Sequence, residues 1–122
     1  LVLDSFNYST GGEVFVMKMK SMRLGDLVEA FKDVLVNHPF EVNLIGILDG
    51  EKMHEELIMK SESNRTWDNG EMYVISPNNS QWDSSGIPKA IKVDLSSYDS
   101  SGAIFFTKNE LRTLVKDFVK KE

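Results

Sequence analysis

The sequence predicts an α/β domain, and three runs of residues carry that prediction. Residues 13–18 contain Val14, Phe15, Val16 and Met17, a nearly continuous apolar stretch that suits a strand buried on both faces. Leu24, Leu27, Val28, Phe31, Val34 and Leu35 follow helical spacing, with Asp26, Glu29, Lys32 and Asp33 on the opposite face. Residues 41–48 are again rich in Val, Leu and Ile and read as a second buried strand. Strand, helix and strand in this order make a βαβ unit, for which a right-handed crossover is expected.

The remaining elements follow along the chain. The opening Leu1-Val2-Leu3-Asp4-Ser5-Phe6 reads as the last turns of a helix, which suggests a fragment of a longer protein. Gly11-Gly12 leads into the first strand. Ser21 is expected to cap the first long helix, and Asn37-His38-Pro39 to stop it. Residues 52–59 read as a short helix with Met53, Leu57 and Ile58 inward. Residues 65–68 and 71–75 flank Asn69-Gly70, a tight-turn dipeptide, and predict a hairpin. Residues 76–86 are a Ser/Asn/Asp-rich loop around Trp82, residues 87–95 are extended, and residues 96–102 are a second polar loop. Thr107-Lys108-Asn109-Glu110 is a capping box, in which the threonine hydroxyl and the glutamate satisfy each other's backbone amides. Leu111, Leu114, Val115, Phe118 and Val119 then form an amphipathic stripe on a C-terminal helix.

Composition removes several classes of function. The chain has 122 residues, enough for one domain that buries a core without staples. It has no cysteine, which excludes disulfides and thiolate metal sites. Fourteen Lys+Arg against nineteen Asp+Glu give a net charge of −5, the wrong sign for a general nucleic-acid binder. No apolar run approaches the length of a membrane span, and no basic-then-apolar leader opens the chain. The expectation is a cytoplasmic protein with neither a nucleic-acid nor a membrane partner.

Known catalytic spacings are missing. A dinucleotide site needs a glycine-rich turn between the first strand and its helix, whereas residues 17–25 contain only Gly25. A Tyr-x-x-x-Lys pair fails at all three tyrosines, since Gly12, Pro77 and Gly102 stand four residues beyond Tyr8, Tyr73 and Tyr98. His54-Glu55-Glu56-Leu57-Ile58 has isoleucine where a zinc protease needs its second histidine. No catalytic residue and no metal ligand is assigned. The segment Gly46-Ile47-Leu48-Asp49-Gly50-Glu51-Lys52 stands out, because it puts a glycine turn and a charged pair after a buried strand. Ligands bind at that position in open α/β folds. On spacing alone, Asp49-Gly50 is a turn, and Glu51 and Lys52 are a solvated first helical turn.

At this segment the chain resembles a family. Gly46-x-x-x-Gly50-Glu51-Lys52 followed by Met53-His54-Glu55-Glu56-Leu57 is similar to the C-terminal part of UDP-N-acetylglucosamine 4,6-dehydratases. These are members of the extended short-chain dehydrogenase/reductase superfamily, often labelled polysaccharide biosynthesis proteins. Gly11-Gly12-Glu13-Val14-Phe15-Val16, Ser21-Met22-Arg23-Leu24-Gly25-Asp26-Leu27 and Tyr98-Asp99-Ser100-Ser101 fit the family in the same order. The resemblance implies that residues 1–122 are one C-terminal substrate-binding domain completing a Rossmann-type fold. NADP or NAD, the Tyr-x-x-x-Lys pair and the acid/base residues would belong to an N-terminal Rossmann domain, and this chain alone would be inactive. It also implies a UDP-sugar substrate, a homo-oligomer, and, from the extended tail, the branch that adds 5-epimerase activity to dehydration. In the family's Arg-x-Gly-Asp/Glu pattern the acidic residue binds ribose and the arginine binds phosphate. Glu51 matches the acidic position, with Gly50 and Lys52 beside it. Leu48 stands at the arginine position, a departure that leaves Lys52 or Arg23 to replace its charge. Leu48 also favours the alternative of a non-catalytic interaction or oligomerisation module derived from the family.

Overall fold

The computed structural model describes residues 2–79 and 81–120. Leu1 of the expected opening helix and Ser80 of the expected loop lie outside them. The elements in order are α1 (Val2–Tyr8), β1 (Val14–Met17), α2 (Leu24–Val34), β2 (Glu56–Ile58), α3 (Lys60–Ser63), β3 (Thr66–Asp68), β4 (Met72–Ile75), a 3-10 turn (Ser84–Gly86), β5 (Ile91–Val93), β6 (Tyr98–Asp99) and α4 (Lys108–Val119). They fall into two compact units. The first comprises Leu1–Met19 and His54–Gly102, the second Lys20–Met53 and Ala103–Glu122.

The first unit is built on the Asn69-Gly70 hairpin. Gly70 takes φ +96°, the left-handed value that a two-residue turn with glycine first requires. The Asn69 side-chain oxygen accepts the amides of Glu71 and Met72 at 3.1 and 2.9 Å, and the Asn69 amide donates to the Met72 carbonyl at 3.2 Å. The turn pairs β3 with β4 antiparallel, Trp67 opposite Val74. β1 adds antiparallel to the other edge of β4 and β5 to β3, giving the order β1-β4-β3-β5. Alternation then puts Met72 and Val74 on one face with Ile87, and Ile75 on the other with Val16 and Ile58. Both clusters are closed by aromatics. Trp67 meets Trp82 at 5.6 Å between ring centroids, and Tyr73 meets Tyr98 edge-on at 5.1 Å.

Polar groups fasten this sheet at its ends. Lys18 donates to both Asp68 carboxylate oxygens at 2.7 and 2.8 Å and sits over the Tyr73 ring at 4.8 Å. Glu13 accepts from the Gly11 amide at 2.8 Å, the Thr10 amide at 3.1 Å, the Thr10 hydroxyl and the Trp82 indole at 2.8 Å. Partial burial opposes ionisation of Glu13. The hydrogen bonds from Thr10, Trp82 and Gly11 outweigh it and lower its pKa from 4.5 to about 2.

The second unit is a helix pair. Leu111 and Val115 of α4 bury themselves against Ala30 of α2, with Leu27, Phe31, Val34 and Phe106 around them. The capping box at Thr107 and Glu110 is formed, both partners bonding the other's backbone amide. Along the seam, Lys108 pairs with Glu29 and Arg112 with Asp33, each at 2.6 Å. Such exposed pairs contribute little, on the order of 0–1 kcal/mol each.

The α/β class, the hairpin and the C-terminal amphipathic helix agree with the sequence. Four expectations do not survive. Residues 41–48 are not a strand, so the described residues contain no βαβ crossover, and β1 runs antiparallel to its neighbour. Leu44 is 95%, Ile45 77% and Ile47 71% exposed, and no hydrogen bond among the described residues involves the backbone of residues 39–47. The reason is that a strand exists only when a partner satisfies its backbone. Residues 52–59 are not a helix, because residues 56–58 pair as β2 with β6. Ser21 does not cap α2. Its backbone instead bridges Phe105, and Arg23 occupies the N-cap without a side-chain bond. The α4 stripe is buried only in part: Leu111 is 1% exposed, but Leu114 is 47% and Phe118 61% exposed.

Two outcomes follow for stability. Leu111→Ala should cost ~2–5 kcal/mol in urea unfolding, and Leu114→Ala clearly less, because only the first leaves a cavity in a closed core. The carboxylate of Glu13 has a folded pKa below its unfolded value. Its contribution is therefore complete above about pH 4.5 and is lost as pH falls toward about 2. Glu13→Gln should accordingly lower the unfolding midpoint at neutral pH, and show a smaller further loss than wild type between about pH 5 and pH 2. Parallel acid profiles for the two proteins would refute this.

Candidate functional site

The Gly-x-x-x-Gly-Glu-Lys segment folds as a self-clasped turn. The Glu51 amide donates to the Leu48 carbonyl at 3.1 Å, closing a four-residue turn with Asp49-Gly50 at its centre. Gly50 takes φ +90°, as the third position of a type II turn demands. The Glu51 side chain folds back, and its Oε2 accepts the Leu48 amide at 2.9 Å. The turn thus holds the carboxylate in one place. Oε1 has no hydrogen bond among the described residues, and Oε2 keeps a further lone pair. A carboxylate so presented can accept from two neighbouring hydroxyl groups.

Gly50, Glu51 and Lys52 are brought together at an exposed site in the second unit. Leu48 adds no charge there, and its side chain is 54% exposed. Of the two cations that could replace an arginine, Lys52 is exposed. Arg23 lies over the Phe105 ring at 5.1 Å, stacking that leaves its in-plane N–H groups available.

The other motif residues meet in the first unit. β2 and β6 pair, so Glu56 lies opposite Asp99 and Ile58 opposite Tyr98. The Ser100 hydroxyl lies 3.2 Å from His54 Nδ1 and accepts the Glu55 amide at 3.2 Å. The Tyr98 hydroxyl accepts the Met19 amide at 2.9 Å and donates to the Met19 carbonyl at 3.1 Å. Asp99 is held down at a pKa of about 2 by hydrogen bonds from Ser101 first, then from Gly102 and Ser97. Thus His-Glu-Glu-Leu and Tyr-Asp-Ser, far apart in sequence, are joined by hydrogen bonds. These bonds are spent on local structure. Among the described residues no group of three or more His, Cys, Asp or Glu side chains is placed to hold a metal ion.

Sequence reading missed one arginine. Arg65 lines a polar recess in the first unit with Asn64 and Asn78. No spacing in the sequence marks this recess, because it forms only when the end of the hairpin returns beside α3.

Residues 1–77 match the family described as polysaccharide biosynthesis protein, and the chain belongs to that family. The match includes the Leu48–Glu51 turn and His54 and ends before Tyr98. The chain is 30% identical to an uncharacterized membrane protein of Methanocaldococcus jannaschii, over 96% of this chain and 34% of that one. It is 38% and 37% identical to UDP-N-acetylglucosamine 4,6-dehydratases (inverting) from two strains of Campylobacter jejuni, over 62% of this chain and 21% of theirs. The X-ray structure of Pen from Bacillus thuringiensis matches with a TM-score of 0.76 and 29% identity, over 96% of this chain and 35% of that one. The chain therefore spans about a third or less of the length of these relatives. It is a region related to nucleotide-sugar dehydratases. No helix among the described residues is long and apolar enough to cross a membrane.

The turn itself can be tested. A Cβ on Gly50 would meet no atom within 4 Å, so only the backbone conformation resists substitution. Gly50→Ala should therefore open the Leu48–Glu51 clasp, because a left-handed φ costs a β-carbon residue ~1–2 kcal/mol. Faster amide exchange at Leu48 and Glu51, with an unchanged exchange rate at the buried Val74, is the expected result.

Proposed function

We propose that this chain is the UDP-sugar-binding, C-terminal portion of a nucleotide-sugar 4,6-dehydratase. The parent would act on UDP-N-acetylglucosamine in surface-polysaccharide or glycan-precursor synthesis, as a homo-oligomer in the cytoplasm. Identity to the Campylobacter jejuni dehydratases, together with the Gly50-Glu51 turn inside the family match, is the observation that carries the reading. Glu51 is the ribose ligand in this proposal, each carboxylate oxygen taking one of two vicinal hydroxyls. Gly50 permits the turn, and Lys52 supplies charge near the phosphates. Epimerisation at C5 is part of the same proposal.

The residues described here do not fit a nicotinamide dinucleotide. β1 leads into Lys18-Met19-Lys20 without a glycine-rich turn, and it pairs antiparallel to β4 rather than opening a parallel βαβ site. In this proposal NADP or NAD is held by another portion of the parent protein, and this chain alone is inactive. A non-catalytic interaction module is the second reading. Leu48 at the phosphate-binding position and the exposed apolar residues 44–48 favour it.

Calorimetric titration of UDP into the purified chain separates the two readings. The dehydratase-derived site binds UDP. Glu51→Gln keeps an acceptor for the Leu48 amide but loses the charge, and should weaken binding by ~1–3 kcal/mol. Glu71→Gln, on an exposed turn of the first unit, should leave it unchanged. The same sample should form no 4-keto sugar from UDP-N-acetylglucosamine. Absence of UDP binding, or equal affinities for wild type and Glu51→Gln, would reject the site.

A further inference from the structure

The first unit contains a concavity of ≈ 500 Å³, lined by Ser61, Asn64, Arg65, Ser76, Asn78 and Asn79, with Pro77 as its apolar member. Its volume is that of a small-molecule site, which runs ~300–1,000 Å³. One side of it comes from α3 and the residues leading into β3, the other from the chain just beyond β4. Ser76 follows β4 and is buried, its amide donating to the Arg65 carbonyl at 2.9 Å and its hydroxyl to the same carbonyl at 3.2 Å. Arg65 returns the contact, its Nη1 donating to the Ser76 carbonyl at 2.5 Å. The guanidinium is thereby fixed in direction before any ligand arrives, which lowers the entropy cost of using its remaining donors. Thr66, the next residue, is fully buried and donates to the Glu62 carbonyl at 2.9 Å, which ties α3 to the hairpin.

The chemistry of the lining selects the ligand. The Asn64 and Asn78 amides each bring donors and an acceptor, Asn79 brings its amide donors while its oxygen already accepts the Gln81 amide at 3.1 Å, and the Ser61 hydroxyl brings both a donor and an acceptor. Arg65 is the one cation among the lining residues, and Glu62 stands 4.0 Å from its Nη2, compensating part of its charge. A strongly charged anion such as a phosphate would find one half-compensated cation. A ligand with several hydroxyls, each needing a donor and an acceptor, finds a matching set. We propose that this recess is a binding site for a neutral saccharide, separate in sequence and in unit from the Glu51 turn and independent of the nucleotide reading.

Chemical-shift titration of the isotope-labelled chain tests this, with N-acetylglucosamine as the neutral probe and inorganic phosphate as the anionic one. N-acetylglucosamine should give saturable shifts confined to amides of residues 61–65 and 76–79, with a dissociation constant on the order of millimolar, typical of a few hydrogen bonds. Asn64→Ala combined with Asn78→Ala should weaken it ~10-fold. Amide shifts of Trp67 and Val74 unchanged from wild type would show that the hairpin still folds in that variant. Three results would overturn the proposal: shifts of these amides by phosphate but not by the sugar, no saturable shift with either probe, or unaltered sugar affinity in the folded double variant.

Discussion

The first unit depends on one strand buried from both sides. β4 has Val74 and Met72 in one apolar cluster and Ile75 in the other, and it carries hydrogen-bonded neighbours on both edges. Four residues therefore supply the centre of two cores and the middle of the sheet. Such a strand tolerates no slip. A shift of one residue would exchange the faces, sending Val74 toward Val16 and Ile75 toward Ile87. The Asn69-Gly70 turn prevents the slip. Its side-chain oxygen fastens two amides at the start of β4, and its glycine takes the conformation that the reversal needs. Lys18 adds a cross-strand tie at the same end, from β1 across β4 to Asp68 on β3.

What was legible in the sequence was what the chain decides locally. Asn69-Gly70 predicts a reversal because the glycine accepts a left-handed torsion and the asparagine side chain can hold the amides beyond it, and Thr107 with Glu110 predicts a helix start because both bonds close within four residues. Residues 41–48 are the opposite case. Val42, Leu44, Ile45 and Ile47 record a demand for apolar surroundings and a backbone partner, and no pattern within the run says where these come from. Among the described residues nothing meets that demand. Residues 52–59 depart from the helical expectation for a related reason. Leu57 and Ile58 fit a helical face as well as a strand, and the choice is made by Tyr98 and Asp99, some forty residues on. Leu114 stays half-exposed because the amphipathic stripe of α4 is wider than the face that α2 covers.

The same division applies to the sites. The Gly50-Glu51 turn is written in consecutive residues and could be found from them. The Arg65 recess could not, since Ser61 and Asn64 come from α3 and its end, and Asn78 and Asn79 from beyond β4. His54 shows the intermediate case. Its place in Met-His-Glu-Glu-Leu marked it, but its partner Ser100 is supplied by the β2–β6 pairing. Motif residues in this chain are thus of two kinds. Glu13, Tyr98 and Asp99 spend their polar atoms on the chain's own backbone and side chains, whereas Glu51 keeps one oxygen without a bond among the described residues.

Leucine at position 48 bears on this distinction. In the turn, residue 48 contributes only its amide and its carbonyl, one to the Glu51 carboxylate and the other to the Glu51 amide. Neither contact involves the side chain, so the turn and the carboxylate's position are indifferent to what residue 48 carries. Gly50 is the residue whose identity the geometry does constrain. Leucine in place of an arginine therefore lacks a positive charge and an in-plane set of donors, while the backbone contacts of the turn need neither. In the proposed site, recognition of hydroxyls by Glu51 and neutralisation of phosphate would be separable functions. The turn leaves a Glu51 carboxylate oxygen open for the first, and the second would have to come from a cation other than residue 48.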